Sequence, residues 1–435
     1  MLAGAGNREK LLTERQVVDL CREAFMRYSL DGKSLLVIIP DNSRSGPIDL
    51  LFRTLYDLLA DRVSRLDFLI ALGTHPPLTQ EAIYRRVGIE NASVHHNDYP
   101  KARFFNHHWK DPDQLKLVGT ISREEVLRLS NGLLDREIPV TINKMVYDYD
   151  TVMILGPTFP HEVVGFSGGN KYFFPGISGQ EIIDAFHWLG ALITSARIIG
   201  AGYTPVREIV DTAAKFLTME KLCISLVVKD QSDLHGMYIG SPEEAWQAAA
   251  DLSAKVHVVY ADKPYHRVLS RVPEMYEDLW TGGKGMYKLE PVVADGGELI
   301  IYGPHIKEVS VTHGEILEQI GYHVRDFFVK QMDKYLHIPG GLLAHSTHVK
   351  GMGNYESGVE TPRITVTLAT GIPEDKCRQI NLGYLDPASI RTEEWENRED
   401  EGILYVPKAG EMLYRLKEDP FRNSQQTTDQ HEPGV

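Results

Sequence analysis

The chain has 435 residues, of which 43% are hydrophobic and 24% charged, a composition typical of soluble globular proteins. This length predicts two or three domains. The formal net charge of −14 argues against nucleic acid as the main ligand, because phosphate backbones bind basic surfaces. The sequence has neither a signal-peptide pattern nor an apolar run of about 18 residues, so we expect a cytoplasmic protein without a membrane partner.

The first hundred residues alternate between apolar strands and amphipathic helices. In chain order, the predicted elements are a helix over 12–30, a strand over 34–40, a helix over 48–62, a strand over 66–72 and a helix that begins at Thr79 or Gln80. This alternation indicates a parallel sheet with crossover helices. Ligands bind at the carboxyl ends of the strands of such sheets, so the polar turns at 41–47 and 73–77 are candidate site segments.

The alternation continues further along the chain. The predicted elements are a strand over 151–155, a helix from about Gln180, strands over 222–228 and 256–260 that close the first domain, and strands over 299–302 and 364–368 in a second domain. We therefore predict an α/β protein of two domains. Residues 1–260 form the larger, cofactor-binding domain, with a parallel sheet flanked by helices, and residues 261–422 form a smaller α/β domain. We expect the active site in the cleft between them and a disordered polar tail over 423–435.

The segment between Gly156 and Gly176 is rich in glycine and proline and contains the turn Ser167-Gly-Gly169, followed closely by Lys171. Backbone amides in such a turn can approach a ligand closely, as in phosphate-binding nests. The spacing does not match a Walker loop. A tight strand-to-helix turn with a solvated lysine would give the same pattern, so the glycines alone leave both interpretations open.

The block from Asn143 through His187 resembles the cofactor segment of the nickel-dependent lactate racemase family. That family carries the phrase His-x-x-x-Gly-Phe-Ser-Gly-Gly-Arg-Lys, which His161 through Lys171 match, with Asn170 in place of the arginine. The family's nickel-binding histidine stands sixteen residues after the lysine, and His187 occupies that position. Three chemically specific residues thus stand in register inside one similar phrase.

Three shorter motifs agree with this resemblance, which covers most of residues 34–300. Asp41-Asn-Ser-Arg44 is similar to the family's Asp-x-Thr-Arg-Pro turn, and Gly73-Thr-His75 is similar to its Gly-x-His-Arg-Pro turn. Both turns depart from the family pattern, with Ser43 for Thr in the first and Pro76 for Arg in the second. Lys284-Gly-Met resembles the family's substrate-side Lys-Gly-Met.

The resemblance implies a nickel pincer nucleotide as cofactor, a pyridinium-3,5-bisthiocarboxylate mononucleotide that holds nickel. His187 matches the single protein ligand of the metal, and Lys171 matches the residue that is covalently joined to the cofactor in some family members. Asp41, Ser167, Gly168 and Gly169 are the other expected cofactor contacts. Nickel(II) accepts tetragonal geometry and soft sulfur donors, so one imidazole can complete such a site.

The resemblance also implies inversion of the hydroxyl-bearing carbon of a 2-hydroxy acid. The C2 hydrogen is weakly acidic, so its removal as hydride by a cofactor is easier while a base takes the hydroxyl proton. His75 and His161 match the family's two bases, one for each hydroxyl orientation. Arg44 and Lys284 match the cations that bind the substrate carboxylate.

The substrate side departs most from the family. Trp280-Thr281 stands where lactate racemases have Tyr-Gln, and Gly282-Gly283 stands where they have bulkier residues. Because glycines leave space, we hypothesise a substrate larger than lactate, such as a sugar acid like gluconate, with Trp280 and Thr281 as candidate contacts.

Two other functions are compatible with the sequence. His75, His107 and His161 could bind zinc in a hydrolase, or the chain could be a non-catalytic homologue that binds nucleotides or carboxylates. We expect only transient protein partners, namely those that build the cofactor. The sequence leaves the oligomeric state open.

Overall fold

A computed structural model describes residues 2–230 and 232–421 of the chain. The chain divides into two units. Unit 1 comprises Met1–Leu189 and Gly202–His257, and unit 2 comprises Gly190–Ala201 and Val258–Val435. The domain bounds predicted at 1–260 and 261–422 stay a prediction, and the predicted disordered tail at 423–435 lies outside the described residues.

Unit 1 is built from short strands and helices that alternate along most of its length. Its strands are β1 (Ala3–Gly6), β2 (Ser34–Pro40), β3 (Arg65–Ala71), β4 (Ala102–Asn106), β5 (Leu115–Ile121), β6 (Ile138–Asn143), β7 (Thr151–Pro157), β8 (Pro160–His161), β9 (Gly165–Phe166), β10 (Glu220–Lys229) and β11 (Asp233–Gly240). Its helices are α1 (Glu14–Arg27), α2 (Ile48–Leu59), α3 (Gln80–Val87), α4 (Ala92–Asp98), α5 (Arg123–Leu129), most of α6 (Gln180–Ile193), α8 (Pro205–Ala214) and α9 (Pro242–Val256).

A seven-stranded sheet in the order β1-β11-β10-β7-β2-β3-β4 forms the centre of unit 1. The five strands from β10 to β4 are parallel to one another, and β11 and β1 extend the sheet in antiparallel fashion. The parallel strands are runs of buried apolar residues, as expected where helices cover both faces. The carboxyl ends of β7, β2 and β3 therefore lie next to one another, with β2 in the middle.

Both faces of the sheet are covered, as the alternation of side chains along β10 shows. Val228 packs in the same core as residues of α1 and α2, whereas its neighbour Val227 packs against α9. Successive strand residues point to opposite faces, so these helices lie on opposite sides of the sheet. The predicted fold class, an α/β protein whose large parallel sheet is flanked by helices, is confirmed.

Local capping explains where the first helices begin. Thr13 and Gln16 form a capping box at the start of α1, and the Thr79 hydroxyl accepts a hydrogen bond from the Ala82 amide at the start of α3. These bonds satisfy amides that have no partner inside the helix.

Unit 2 is a smaller α/β assembly. Its strands are β12 (Val258–Ala261), β13 (Tyr265–Arg271), β14 (Val293–Gly303), β15 (Gly353–Glu356), β16 (Val359–Pro362), β17 (Thr365–Thr370), β18 (Gly383–Tyr384), β19 (Ile403–Val406) and β20 (Leu413–Leu416). Its helices are the end of α6, α7 (Ser195–Ile198), α10 (Leu279–Gly282), α11 (Lys284–Tyr287), α12 (Gly314–Ile320), α13 (Arg325–Val329), α14 (Met332–Tyr335), α15 (Gly340–Lys350) and α16 (Glu374–Gln379). Five parallel strands form its main sheet, in the order β18-β17-β14-β13-β19.

One predicted strand was assigned to the wrong domain. The strand predicted over 256–260 was expected to close the first domain, but Val258–Ala261 pairs in parallel with Leu413–Leu416 in unit 2. Val256 is instead the last residue of α9, which packs on the unit 1 sheet. The apolar run therefore spans the end of one element and the start of another, a division that periodicity does not reveal.

Within the described part of the chain, no helix is both long enough and apolar enough to span a membrane.

Candidate active site

Three neighbouring strands of the unit 1 sheet end in chemically reactive residues. Asp41 directly follows β2, His75 lies four residues beyond the end of β3, and His161 stands in β8 shortly after β7. Because β2 lies between β7 and β3 in the sheet, Asp41 follows the middle strand and the two histidines follow its neighbours. The expectation that the polar turns at 41–47 and 73–77 lie at the same sheet edge is therefore confirmed.

Asp41 and His75 form a direct contact. The Nδ1 atom of His75 lies 2.5 Å from Oδ2 of Asp41, and the other oxygen of Asp41 accepts hydrogen bonds from the hydroxyl of Ser43 at 2.6 Å and its amide at 3.1 Å. Burial would raise the pKa of Asp41, but His75, Ser43 and the nearby Arg44 outweigh it and hold the pKa below its usual range. The ionised Asp41 therefore accepts the Nδ1 proton, and a neutral His75 ring has an unprotonated Nε2.

His161 has a different partner at the same ring atom. It is 5% exposed, and its Nδ1 accepts a hydrogen bond from the Val163 amide at 3.2 Å. The Glu162 carboxylate lies 3.3 Å from this nitrogen, so it would stabilise the ring once it is protonated. With Nδ1 as acceptor, a neutral ring carries its proton on Nε2, which is the opposite arrangement to His75.

Arg44 lies in the same loop as Asp41, and a second arginine holds that loop. The guanidinium of Arg86 in α3 donates hydrogen bonds to the carbonyl oxygens of Arg44 at 2.8 Å and Pro40 at 3.4 Å. Burial lowers the pKa of Arg86. No local sequence pattern distinguishes Arg86 from the neighbouring, exposed Arg85 in this amphipathic helix.

Tyr172 is a further residue that the motifs did not single out. A Cβ atom on Gly156 would lie 1.8 Å from the Tyr172 hydroxyl oxygen, so a glycine in β7 is needed to make room for this phenol. Burial raises the pKa of Tyr172, against the opposing effect of Arg44 and Arg86. The phenol therefore stays protonated at neutral pH near Arg44 of the Asp41 loop and Arg86 of α3. Its only sequence signal is its position directly after Lys171.

Ser167 holds the glycine-rich loop together. Its hydroxyl oxygen accepts a hydrogen bond from the Phe159 amide at 2.9 Å and lies 3.4 Å from the Pro157 carbonyl oxygen, to which it can donate. Its own carbonyl oxygen accepts a hydrogen bond from the Trp246 indole at 2.9 Å. These bonds give Ser167 a structural role, and its predicted contact with a cofactor stays a prediction.

Gly168 and Gly169 both have backbone conformations that require glycine. Gly168 has φ +87° and Gly169 has φ +58°. A Cβ atom at Gly168 would lie 2.4 Å from the Thr158 hydroxyl oxygen, and one at Gly169 would lie 2.8 Å from Cβ of Trp246. The loop thus packs tightly on its own unit, and the glycines are explained by that packing as well as by the ligand contact predicted for them.

Arg207 in α8 holds the glycine-rich loop through hydrogen bonds to its backbone. Its guanidinium donates to the carbonyl oxygens of Gly168 at 3.1 Å and Phe166 at 2.5 Å, and it lies over the Trp246 ring at 4.1 Å from the centroid. The residue is 1% exposed, and burial lowers its pKa to about 10. No motif in the sequence distinguishes Arg207 from the other arginines of the chain.

Asn170, which stands where the family phrase has an arginine, is hydrogen-bonded to two carboxylates. The Asn170 side-chain amide donates to Asp211 at 3.0 Å and Glu243 at 2.7 Å. Lys171 follows in the same turn and is half-buried, with Nζ 5.6 Å from the centroid of the Phe186 ring in α6. The loop, Lys171 and the part of α6 that precedes His187 therefore belong to one local structure.

His187 is half-buried on α6, one turn beyond Ile183. Its Nδ1 lies 2.7 Å from the carbonyl oxygen of Ile183, which can only accept, so Nδ1 donates. The neutral ring then has an unprotonated Nε2 with a lone pair, as a metal-binding histidine requires.

The predicted substrate residues Trp280 and Thr281 lie in unit 2. The Trp280 ring stacks on His345 with the centroids 4.3 Å apart. The hydroxyl of Thr281 lies 2.8 Å from the carboxylate of Asp278, which also accepts a hydrogen bond from the Thr281 amide and so caps α10. Asp278 thereby fixes the start of the helix that carries both predicted residues.

Lys284 also belongs to unit 2, and its Nζ lies 4.5 Å from the centroid of the Tyr276 ring. The structure thus brings Asp41, Arg44 and His75 together in unit 1. The predicted cleft site, which combines these residues with Lys284, stays a prediction.

The two glycines before Lys284 do not open space, contrary to the reasoning from the sequence. A Cβ atom on Gly282 would lie 2.7 Å from Cδ1 of Ile306, and one on Gly283 would lie 2.8 Å from Cγ2 of Val349. Side chains of unit 2 itself fill the volume that bulkier residues would take. The space beside these glycines is taken by neighbouring side chains, so they are no evidence for a larger substrate.

The zinc site considered from the sequence is not supported. His107 is 1% exposed, its Nε2 lies 2.9 Å from the Ser178 carbonyl oxygen, and its Nδ1 lies 3.3 Å from the side-chain nitrogen of Asn143. Both ring nitrogens therefore have protein partners. Among the described residues, no group of three or more His, Cys, Asp and Glu side chains is placed to hold a metal ion.

The fold and these side chains define an α/β protein with paired histidine and carboxylate groups at the carboxyl edge of a parallel sheet. A model of the lactate racemase N-terminal domain matches residues 16–199. Residues 16–199 therefore form a lactate racemase N-terminal domain, and the chain is similar to the lactate racemase family.

Two curated proteins named lactate racemase are similar to the chain. Those from Thermoanaerobacterium thermosaccharolyticum and Lactiplantibacillus plantarum are each 24% identical to it, over 277 and 278 residues. The alignments cover 62% of this chain and 59% and 60% of the two relatives. The chain thus spans about three fifths of the length of the curated relatives it matches.

Two solved structures share the fold. A protein from Thermotoga maritima, solved by structural genomics, is 31% identical with a TM-score of 0.86, and the match covers 95% of this chain and 100% of that one. The lactate racemase apoprotein from T. thermosaccharolyticum is 18% identical with a TM-score of 0.69, and the match covers 93% of each chain.

Proposed function

We propose that the protein is an isomerase that inverts C2 of a 2-hydroxy acid. The observation that carries this proposal is the pair of histidines at one sheet edge with complementary proton arrangements. A neutral His75 ring can accept the hydroxyl proton at Nε2, because its Nδ1 donates to Asp41, and a protonated His161 ring, with the Glu162 carboxylate 3.3 Å from Nδ1, can return a proton from Nε2. An inversion needs one group to accept the hydroxyl proton of the substrate and another to return a proton in the opposite configuration.

Sheet geometry supports the placement of the two groups. They follow β3 and β7, which are separated by β2, and strands two apart in a sheet are about 10 Å apart. This spacing suits two bases on either side of a small planar intermediate. The carboxylates of Asp41 and Glu162 would each stabilise the imidazolium that forms when the neighbouring ring takes a proton.

A 2-hydroxy acid also needs a cation for its carboxylate. Arg44 lies in the Asp41 loop, and a guanidinium can bind both carboxylate oxygens at once. Lys284 is the second candidate by its match to the family motif.

The residues fit the nickel pincer nucleotide that the family resemblance implies. His187 would hold the metal through the lone pair of Nε2, and the half-buried Lys171 would hold the organic part. When bound, this cofactor supplies the hydride acceptor that the chemistry at C2 requires. The protein would position the hydroxyl and carboxylate groups and move the hydroxyl proton through His75 and His161.

A sugar acid such as gluconate remains the narrower proposal for the substrate. Gly282 and Gly283 do not support this proposal, because they open no space. Its support is that Trp280-Thr281 stands where lactate racemases have Tyr-Gln. Trp280 stacks on His345, and a ring of this kind offers an apolar face to a carbohydrate chain.

The first experiment tests the cofactor. The chain would be coexpressed with the enzymes that build the nucleotide, and its native mass and nickel content would be measured. We expect one nickel and a mass increase equal to the cofactor. His187→Ala should lose the nickel, whereas His96→Ala, an exposed histidine on α4, should retain it.

The second experiment tests the reaction. Loaded protein would be incubated with single stereoisomers of lactate and of gluconate, and the C2 epimers would be separated by chiral chromatography. Epimerisation that is lost in His75→Asn and His161→Asn supports the proposed function. Turnover of lactate well above that of any polyhydroxy acid would remove the sugar-acid proposal, and absence of inversion by verified loaded protein would remove both.

A further inference from the structure

Unit 2 contains a small, partly enclosed cavity that the proposed reaction does not use. Its volume is 140 Å³. The lining comes from the end of α6 and α7, from α15 and the residues after it, and from two further charged positions: Ala191, Thr194, Ser195, Arg197, Glu290, Arg325, Thr347, His348, Gly351, Met352, Gly353 and Asn354. All of these residues belong to unit 2.

Three buried polar side-chain atoms in this lining find no hydrogen-bond partner among the described residues. They are the hydroxyl groups of Thr194 and Ser195 and the Nε2 atom of His348. Ser195 and His348 are each 4% exposed. Buried polar atoms in native proteins are nearly always hydrogen-bonded, so three unpaired atoms around one cavity indicate a missing polar occupant.

The charges around the cavity favour an anion. Two guanidinium groups lie at the cavity, those of Arg325 and of the exposed Arg197. Arg325 already donates to the Leu192 carbonyl at 2.9 Å and pairs with the adjacent Asp326, which leaves part of its N–H groups for a ligand. The carboxylate of Glu290 already accepts a hydrogen bond from the Met352 amide at 2.8 Å, and burial raises its pKa.

The neutral groups match an oxyanion as well. Burial lowers the pKa of His348 to about 3, so its imidazole is neutral and can offer one N–H. Two hydroxyl groups add two more donors, and Arg325 can add another N–H. An oxyanion presents several acceptor oxygens to these donors.

We propose that this cavity is a binding site for a small oxyanion, with inorganic phosphate or a short carboxylate as its source. The cavity is large enough for such an ion and too small for a nucleotide. Helix α6 carries His187 in its middle and ends at Ile193, next to Thr194. An ion bound by Thr194 and Ser195 would therefore order the chain directly after the helix that bears His187. This proposal does not depend on the proposed reaction.

The test uses the full-length protein in a buffer free of phosphate and carboxylate. Inorganic phosphate, acetate and chloride would be titrated at constant ionic strength, with the thermal midpoint and the heat of binding as readouts. Hydrogen exchange of residues 190–199 would report local ordering. The variants are Ser195→Ala and Arg325→Gln, with Arg391→Gln as the matched control, because Arg391 is an exposed arginine of unit 2 that pairs with Glu394.

Phosphate or acetate, but not chloride, should raise the thermal midpoint and slow exchange over residues 190–199. Ser195→Ala and Arg325→Gln should each weaken binding by at least about tenfold, the loss expected for one hydrogen bond to a charged group, and Arg391→Gln should not. Ser195→Ala should leave the ion-free protein as stable as before or more stable, because it removes an unpaired buried hydroxyl.

Several outcomes would overturn the proposal. One is the absence of binding by both oxyanions, which would mean that the cavity holds only water. Another is an oxyanion effect that persists in Ser195→Ala, which would place the ion elsewhere. If Arg325→Gln fails to fold, Ser195→Ala decides. The preference between phosphate and acetate identifies the source of the oxyanion, and neither result depends on cofactor loading or on epimerase activity.

Discussion

His75 and His161 use the same ring atom, Nδ1, for opposite purposes. An ionised carboxylate accepts from Nδ1 of His75, and a backbone amide donates to Nδ1 of His161. The difference comes from Asp41, which follows β2 and meets the histidine that follows β3. The neighbour that sets the proton state of a histidine can therefore matter as much as the histidine itself.

Replacement of Asp41 by Asn should keep the shape of the loop but remove the charge that stabilises a protonated His75. We expect kcat for inversion to fall by about 10²–10⁴-fold, the range for loss of a group that supports a general base. The measurement is the initial rate of C2 inversion by cofactor-loaded protein. Asp150→Asn is the control, because Asp150 bonds Ser34 at the amino end of β2 and should leave kcat nearly unchanged. A fully active Asp41→Asn would contradict the role of the carboxylate.

His107 makes the stability of the protein depend on pH. Burial lowers its pKa to about 4, whereas an unfolded histidine titrates near about 6.5. Between these values the unfolded chain binds more protons than the folded chain, so the free energy of unfolding falls as the pH drops through this window. His107 alone would account for about 3 kcal/mol, and the buried His348 adds to the same slope.

Urea unfolding between pH 7 and pH 4 measures this effect. His107→Gln should be less stable at pH 7, because it loses two bonded ring nitrogens, but its free energy of unfolding should vary less steeply with pH. His96→Gln changes an exposed histidine and should keep the wild-type slope. Equal slopes in His107→Gln and the wild type would show that His107 is not the group that titrates.

At the scale of elements, the glycine-rich loop after β7 depends on tight packing. The Gly168 carbonyl accepts a bond from Arg207, and its φ of +87° disfavours any side chain. The same loop carries Lys171 and leads into the helix of His187. The sequence showed the glycine-rich pattern, but it did not show that Arg207 of α8 and Trp246 of α9 hold the loop in place.

Gly168→Ala tests this packing. The backbone conformation alone should cost about 1–3 kcal/mol, and the contact with Thr158 adds to that cost. Gly32→Ala is the control, because Gly32 also has a positive φ, of +75°, but no described atom lies within 4 Å of its Cβ position. It should lose only the cost of the backbone conformation, about 1–2 kcal/mol. Equal losses of stability in the two variants, measured by urea unfolding, would mean that the contact is relieved by a small shift.

At the scale of the whole molecule, unit 2 is assembled from distant parts of the chain. Strand β20 pairs with β12 across more than 150 residues, and Arg415 in β20 is 1% exposed. Its guanidinium donates to the carbonyl oxygens of Ala196 and Ile199 and pairs with Asp419. The segment after α6 is thereby joined to the end of the described chain.

Arg415→Met should destabilise unit 2 by about 3–5 kcal/mol, because it leaves the buried Asp419 without its partner. Hydrogen exchange should show faster exchange in β12 and in residues 195–199, with β2 and β3 of unit 1 much less affected. Lys417→Met is the control, since it removes an exposed pair with Asp262 that contributes at most about 1 kcal/mol. Equal acceleration throughout both units would mean that the chain unfolds as one cooperative body.

The fold class, the strand over 34–40 and the positions of the reactive turns were readable from the sequence, because they depend on local periodicity and on short motifs. The family motif also indicated His161, Lys171 and His187 directly. Contacts between distant segments were decided only by the tertiary structure. They include the pair of Asp41 and His75, the space beside Gly282 that Ile306 fills, and the cavity around Ser195. Such contacts follow from the order of strands and the packing of remote helices, which no short stretch of sequence encodes.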